Sequence, residues 1–198
     1  GEGEKQGSLC LQTLQSSFPY GYEYRGETSR LVVTPLTDRC QASLLSAQML
    51  ALGAAAIGPA GAGKTETIKD LAKAAGRRCV AFSCSQGLEL TTAARLLRGL
   101  ASGGAWGCLK DLHRVCVEVL SVLAQYLFLL ASARATLVRD GNWAQLGSVE
   151  LEGVQLNVSP AFGVHVVSPA LCPGLPDSLR ALLRPASVAV PDCRLLAE

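Results

Sequence analysis

The chain is short of charge. Only 17% of its 198 residues are Asp, Glu, Lys or Arg, and the formal net charge is +2. That balance gives no electrostatic case for nucleic acid or a membrane surface as a partner. A metal-binding cysteine pattern is also missing. Eight cysteines are scattered at Cys10, Cys40, Cys79, Cys84, Cys108, Cys116, Cys172 and Cys193, with no C-x-x-C pair and no histidine at zinc-ligand spacing. Cys79 and Cys108 sit in apolar runs, where cysteine behaves as a small hydrophobe, so reduced thiols are expected. The most apolar segment, Val115 to Val138, is interrupted by Glu118, Gln125 and Arg134. It offers no unbroken apolar run of about 18 residues and is expected to be a buried helix rather than a membrane span. There is no internal repeat, no low-complexity tract and no signal-peptide pattern at Gly1, and the expectation is a piece of a longer chain. With 49% hydrophobic residues, the chain has material for a core, and disorder is excluded.

What is present is a phosphate-binding loop. Gly58-Pro59-Ala60-Gly61-Ala62-Gly63-Lys64-Thr65 matches G-x-x-x-x-G-K-[ST] at every defined position. An apolar stretch, Ala54 to Ile57, leads in, and a helix-forming stretch, Glu66 to Ala75, leads out. Glycines let backbone N–H groups turn inward around phosphates, and the following helix N-terminus adds partial positive charge. In such a loop Lys64 reaches the β- and γ-phosphates and Thr65 offers its hydroxyl to Mg²⁺.

The rest of the chain alternates. Gly53–Ile57, Cys79–Cys84, Gly104–Leu109, Phe162–Val167 and Ala186–Val190 read as core strands. Lys64–Ala75, Leu88–Leu100, Val115–Arg134 and Asp177–Leu183 read as helices, and Ser148–Val158 as an inserted hairpin. Earlier, Leu31–Val33 reads as a short strand and Thr37-Asp38 as the N-cap of a helix running to Leu50. Strands separated by helices predict a parallel sheet covered on both faces. The expected division is an irregular lead-in over residues 1–19 and one α/β unit over residues 20–198.

Seven stretches, Tyr20-Gly21-Tyr22-Glu23-Tyr24, Arg30 to Cys40, Gly58 to Thr67, Lys69 to Ala74, Gly99 to Trp106, Glu118 to Gln125 and Leu175 to Pro185, resemble the first, main hydrolytic AAA+ module of dynein heavy chains. The resemblance implies an AAA+ P-loop fold, its large α/β subdomain only, and an ATP-binding unit of a microtubule motor. Neighbouring AAA+ modules of the same chain, microtubules and dynein light and intermediate chains are the partners it implies. The setting it implies is cytoplasmic and cytoskeletal, the axoneme of a cilium or flagellum included. Residues Leu31 to Thr37, among them Val32 and Thr34, are implied to lie beside the adenine, and Glu66 follows the loop. Arg184 matches the place, at the end of the last helix, where such proteins present an arginine to a neighbour's phosphate; a surface arginine is the equal alternative.

The match breaks in the hydrolytic half. The strand that leads to an Asp-Glu pair in the family ends here in Lys110-Asp111. Lys110 stands where the metal-side carboxylate belongs, and Asp111 where the catalytic Glu belongs. An ammonium beside Mg²⁺ is like-charge repulsion, so weakened or lost metal binding is expected. Asp111 is one methylene shorter than Glu, and a base misplaced by about 1 Å loses on the order of 10²-fold. Ser168 replaces the family's water-polarising Asn, and His113 also stands where the family carries Asn. Two readings stay open: an ATP-hydrolysing motor module, or a nucleotide holder with impaired hydrolysis in a dynein-like scaffold.

Overall fold

A computed structural model describes residues 9–13, 16–24, 26, 29–169 and 174–190. Cys172, Cys193 and the Ala170-Leu171 loop after Ser168 lie outside these. The elements run β1 (Cys10–Thr13), β2 (Ser16–Pro19), α1 (Pro35–Met49), β3 (Gly53–Ile57), α2 (Lys64–Ala74), β4 (Cys79–Ser83), α3 (Leu90–Gly103) and β5 (Trp106–Lys110). They continue with α4 (Val117–Arg139), β6 (Gly147–Leu151), β7 (Val154–Val158), β8 (Gly163–Ser168), α5 (Asp177–Ala181) and β9 (Leu183–Ser187).

Five strands form one parallel sheet in the order β4-β5-β8-β3-β9. Helices α1 and α2 cover one face, packing Leu44, Ile68 and Leu71 against Trp106 and Cys108. On the other face α3, α4 and α5 pack Leu97, Leu123 and Leu179 against Leu109, Val164 and Val166. A sheet apolar on both faces needs two helical layers, and the near-continuous apolar strands supply that demand.

Four expectations from the sequence are corrected. Part of the lead-in is a hairpin, β1–β2, with Phe18 1% exposed and edge-on to both Trp106 and Trp143. A four-residue strand carries too little periodicity to be read, and its anchor is a tertiary contact. Leu31–Val33 forms no strand; its backbone is tied to α2 instead of to a neighbouring strand. Helix α1 is capped by Thr34, not by Thr37-Asp38. The Thr34 hydroxyl accepts from the Thr37 N–H and the Thr37 hydroxyl accepts from the Thr34 N–H, with Pro35 in the first turn. The last strand lies three residues earlier, at Leu183–Ser187. Pro185 stands inside it because β9 is an edge strand, where a missing N–H is tolerated.

Helix α4 is long and apolar enough, by length and composition, to cross a membrane. Here Leu120, Leu123, Ala124, Leu127, Leu130 and Val138 are buried, and it packs on α3, α5, β6 and β7. Arg134 on the same helix is 2% exposed, and its guanidinium donates to the carbonyls of Pro160 and Gln48 and to Gln48 Oε1. With Oε1 so occupied, the Gln48 amide nitrogen donates to His165 Nε2 at 3.1 Å, which leaves the proton of the neutral ring on Nδ1, an atom with no partner among the described residues. Gly163 makes room for this cluster, since a Cβ there would stand 2.0 Å from Gln48 Nε2.

Burial, and then the Arg134 charge, push the His165 imidazole down to about 3. A histidine held below its ordinary value stabilises the fold above about pH 6.5, and that stability is lost as pH falls towards 3. Protonation of the unfolded chain alone should cost about 2 kcal/mol by pH 5. Urea midpoints at pH 7.5 and pH 5 should show this drop, and His165→Gln should flatten it. A midpoint unchanged between the two pH values would exclude the effect.

Candidate functional site

All five parallel strands end on the same edge of the sheet, at Ile57, Ser83, Lys110, Ser168 and Ser187. In open α/β sheets that edge is where ligands bind. The loop Gly58–Gly63 leaves β3 there and enters α2. Gly61 and Gly63 have φ of +81° and +80°, a region that side chains strain to adopt. Gly58 is required for a different reason: a Cβ would stand 2.1 Å from the Val188 carbonyl oxygen. Lys64 opens the helix, and its ammonium donates to the carbonyls of Gly58 and Pro59 at 2.7 and 2.6 Å, holding its charge at the loop mouth. Thr65 follows in the first turn, and the exposed Glu66 is paired with Lys69 at 2.8 Å.

The sheet brings the expected hydrolytic positions to the same edge. Ser168 ends β8 opposite Ile57, buried, with its carbonyl accepting from the Gly58 N–H at 3.3 Å. Lys110 ends β5 opposite Val167. Strand alternation puts Lys110 on the face of Trp106 and Cys108, the face that α2 covers. The Cys108 thiol reports the surroundings: burial pushes it up to about 12, Cys79 adds to this, the Lys110 and Lys69 charges oppose it, and Glu66 adds again. Lys110, Lys69 and Glu66 thus all act on the Cys108 thiol on this face of the sheet.

Asp111 departs from the strand. Its φ of +55° places it in the left-handed region, which Asp enters more readily than Glu. Its carboxylate bears on Cys84, whose thiol is pushed up to about 11 by burial and then by Asp111. Cys84 belongs to the core on the face opposite α2, so Asp111 does not fill the place that Lys110 occupies. Mg²⁺ finds a poor donor set here. Thr65 contributes one hydroxyl, and Lys110 brings an ammonium to the strand end where a carboxylate would be needed. The residues present do not fit the metal.

Arg184 stands apart. It is exposed in β9 rather than at the end of a helix, and it pairs with Ala54, well back from the phosphate-loop edge. His113 is exposed in the short 3₁₀ turn Leu112–Arg114.

The segment implied to flank a base is fixed by a contact that sequence reasoning missed. Asp70, 1% exposed on α2, accepts from Arg30 Nε at 2.7 Å, from Arg30 Nη2 at 3.1 Å and from the Leu31 N–H at 3.2 Å. Burial works against its charge, but these bonds and the Arg30 and Lys73 charges outweigh it and hold the carboxyl below its usual range. The residues that follow present Val32 outward, 79% exposed, whereas the Thr34 hydroxyl is committed to its cap. Asp70→Ala removes the acceptor of three N–H donors on Arg30 and Leu31, which should cost about 1–3 kcal/mol in urea unfolding and weaken nucleotide binding through a loosened segment. An unchanged urea midpoint would dismiss the clamp.

Tyr20–Tyr24 docks on the other end of α2. The Gly21 N–H donates to the Ala75 carbonyl and the Glu23 N–H to that of Gly76, at 2.9 and 3.1 Å. Gly76, at φ +60°, lies against the Tyr20 ring, where a Cβ would stand 2.5 Å from the ring carbon.

Comparison with known proteins agrees with this geometry. Residues 20–198 match the family described as the hydrolytic ATP binding site of dynein motor region. The chain is 43% identical over 194 residues to dynein axonemal heavy chain 3 of Homo sapiens, covering 95% of this chain and 4% of that protein. It is 44% identical over 189 residues to dynein axonemal heavy chain 6 of Homo sapiens, covering 92% and 4%. With the dynein-1-beta heavy chain of the flagellar inner arm I1 complex of Chlamydomonas reinhardtii it shares 41% over 201 residues, covering 98% and 4%. It thus spans a small fraction of the relatives it matches. Among solved structures, the Thermotoga maritima RuvB Holliday junction branch migration motor superposes with a TM-score of 0.51 at 17% identity, over 78% of this chain and 43% of that one, which speaks for the fold alone. The chain is an AAA+ large α/β subdomain and belongs to the family of dynein heavy-chain hydrolytic ATP-binding regions.

Proposed function

We propose that this module holds ATP at Gly58–Thr65 as a nucleotide site of a dynein-type motor. The observation that carries the reading is the complete phosphate loop between β3 and α2, with Lys64 held at its mouth. Backbone N–H groups of the loop and the α2 N-terminus receive the phosphates, and Lys64 neutralises them. The Arg30–Asp70 clamp keeps Val32 and its neighbours available to the base. Ser168 and Asp111 are the groups left to orient water, and with Asp111 in the left-handed region turnover is slow. Arg184, exposed on the edge strand, serves a neighbouring module if it serves any nucleotide. In the heavy chain that such a module belongs to, neighbouring AAA+ modules, microtubules and light and intermediate chains are the partners, in the cytoskeleton of a cilium or flagellum. A scaffold role without motor activity is not favoured, since the relatives are dynein heavy chains.

Thermal unfolding tests the reading. Saturating ATP, at about 100 times its Kd, should stabilise the fold by about 2.7 kcal/mol. An unfolding curve that ATP leaves in place would refute it.

A further inference from the structure

A site whose residues do not fit Mg²⁺ and whose phosphate loop is complete raises the question of what balances the triphosphate. We propose that Lys110 takes the place of the divalent cation, so that the module binds ATP free of metal. The inference rests on the phosphate-loop reading above and adds to it the chemical form of the ligand: the metal-free tetra-anion rather than its Mg²⁺ complex.

Three observations carry it. Lys110 ends β5 on the edge where the loop leaves β3, two strands away in the same parallel sheet. It lies on the face of β5 that α2, the helix carrying Lys64 and Thr65, packs against, and its charge acts on Cys108 of that face. The two nearby side chains of opposite sign, Glu66 and Lys69, already neutralise each other at 2.8 Å, and the Asp111 carboxylate bears on the other face through Cys84, so neither acidic group is committed to Lys110.

The charge balance closes. A carboxylate with a bound divalent cation presents one net positive charge to the phosphates, and an ammonium presents one as well. A lysine at this position preserves the field that a triphosphate meets while removing the ligand that holds the metal. The same charge repels Mg²⁺, so added metal gives little further gain and competes by withdrawing free ATP into its complex.

The test is a titration of the protein with a fluorescent ATP analogue in EDTA and again with excess Mg²⁺, on the parent and on Lys110→Arg, Lys110→Met and Lys110→Asp. Melting curves establish that each variant is folded. The parent and Lys110→Arg should bind tightly in EDTA and at least about tenfold more weakly in excess Mg²⁺, which withdraws the free nucleotide. Lys110→Met should lose at least tenfold in EDTA. Lys110→Asp should bind at least tenfold more tightly with Mg²⁺ than without. Mn²⁺ bound in the ATP complex, read by electron paramagnetic resonance, should be detectable for Lys110→Asp and not for the parent. Binding by the parent that needs Mg²⁺, or Lys110→Met as tight as the parent in EDTA, would overturn the inference while leaving ATP binding intact. Absence of binding in both conditions would overturn the ATP reading itself, and this inference with it.

Discussion

Lys64→Ala should abolish ATP binding, weakening it by at least about 100-fold. The ammonium is the one charged group of the loop, and the carbonyls of Gly58 and Pro59 fix it at the mouth. Charge-assisted hydrogen bonds to phosphate are each worth about 1.5–3 kcal/mol, so losing those to two phosphates removes at least about 3 kcal/mol, two decades of affinity. The substitution shortens a side chain at the start of α2 and leaves the helix contacts of Ile68 and Leu71 untouched, so the melting curve without ATP should move little. Fluorescent-nucleotide titration of the variant against the parent measures the change. Equal affinity would mean that nucleotide, if bound, sits elsewhere.

The second large effect runs in the other direction. Lys110→Asp together with Asp111→Glu should raise ATP turnover by about 10²-fold in the presence of Mg²⁺. Lys110→Asp restores a carboxylate at the end of β5, on the α2 face, where Thr65 offers the other ligand. Asp111→Glu adds the methylene that carries a base about 1 Å further. The backbone sets a counterweight: residue 111 lies at φ +55°, which Glu tolerates less well than Asp, so some stability is lost as activity rises. Phosphate release under single-turnover conditions is the readout. If the double variant binds Mg²⁺-ATP no better than the parent, the assignment of residue 110 to the metal position is wrong.

The sequence carried the loop and the sheet because both are local patterns. Gly58 to Thr65 is contiguous, and β3 and β5 are short apolar runs that read as strands in place. Lys110 and Ser168 were legible because a strand end is a countable distance from its core. What stayed hidden was held together by residues far apart in the chain. Arg30 and Asp70 are forty positions apart, and nothing in either neighbourhood announces that a guanidinium will tie Leu31 to α2 rather than let it join the sheet. The Gln48–Arg134–His165 cluster draws on α1, α4 and β8, and its Arg134 reads in sequence only as a break in an apolar helix. Pro185 misled in a physical way: a proline argues against a strand interior, and only the edge position of β9 removes the objection. At Asp111 strand alternation predicts the face opposite α2, and its neighbour Cys84 lies on that face; only the left-handed backbone was not legible in the sequence.

Calorimetric titration with ATP, and in parallel with AMP, tests the central claim most directly. A phosphate loop reads the β- and γ-phosphates, so one ATP should bind per chain and AMP should bind at least about 100-fold more weakly. Equal affinity for the two nucleotides, or no heat with ATP at any concentration tried, would contradict the account.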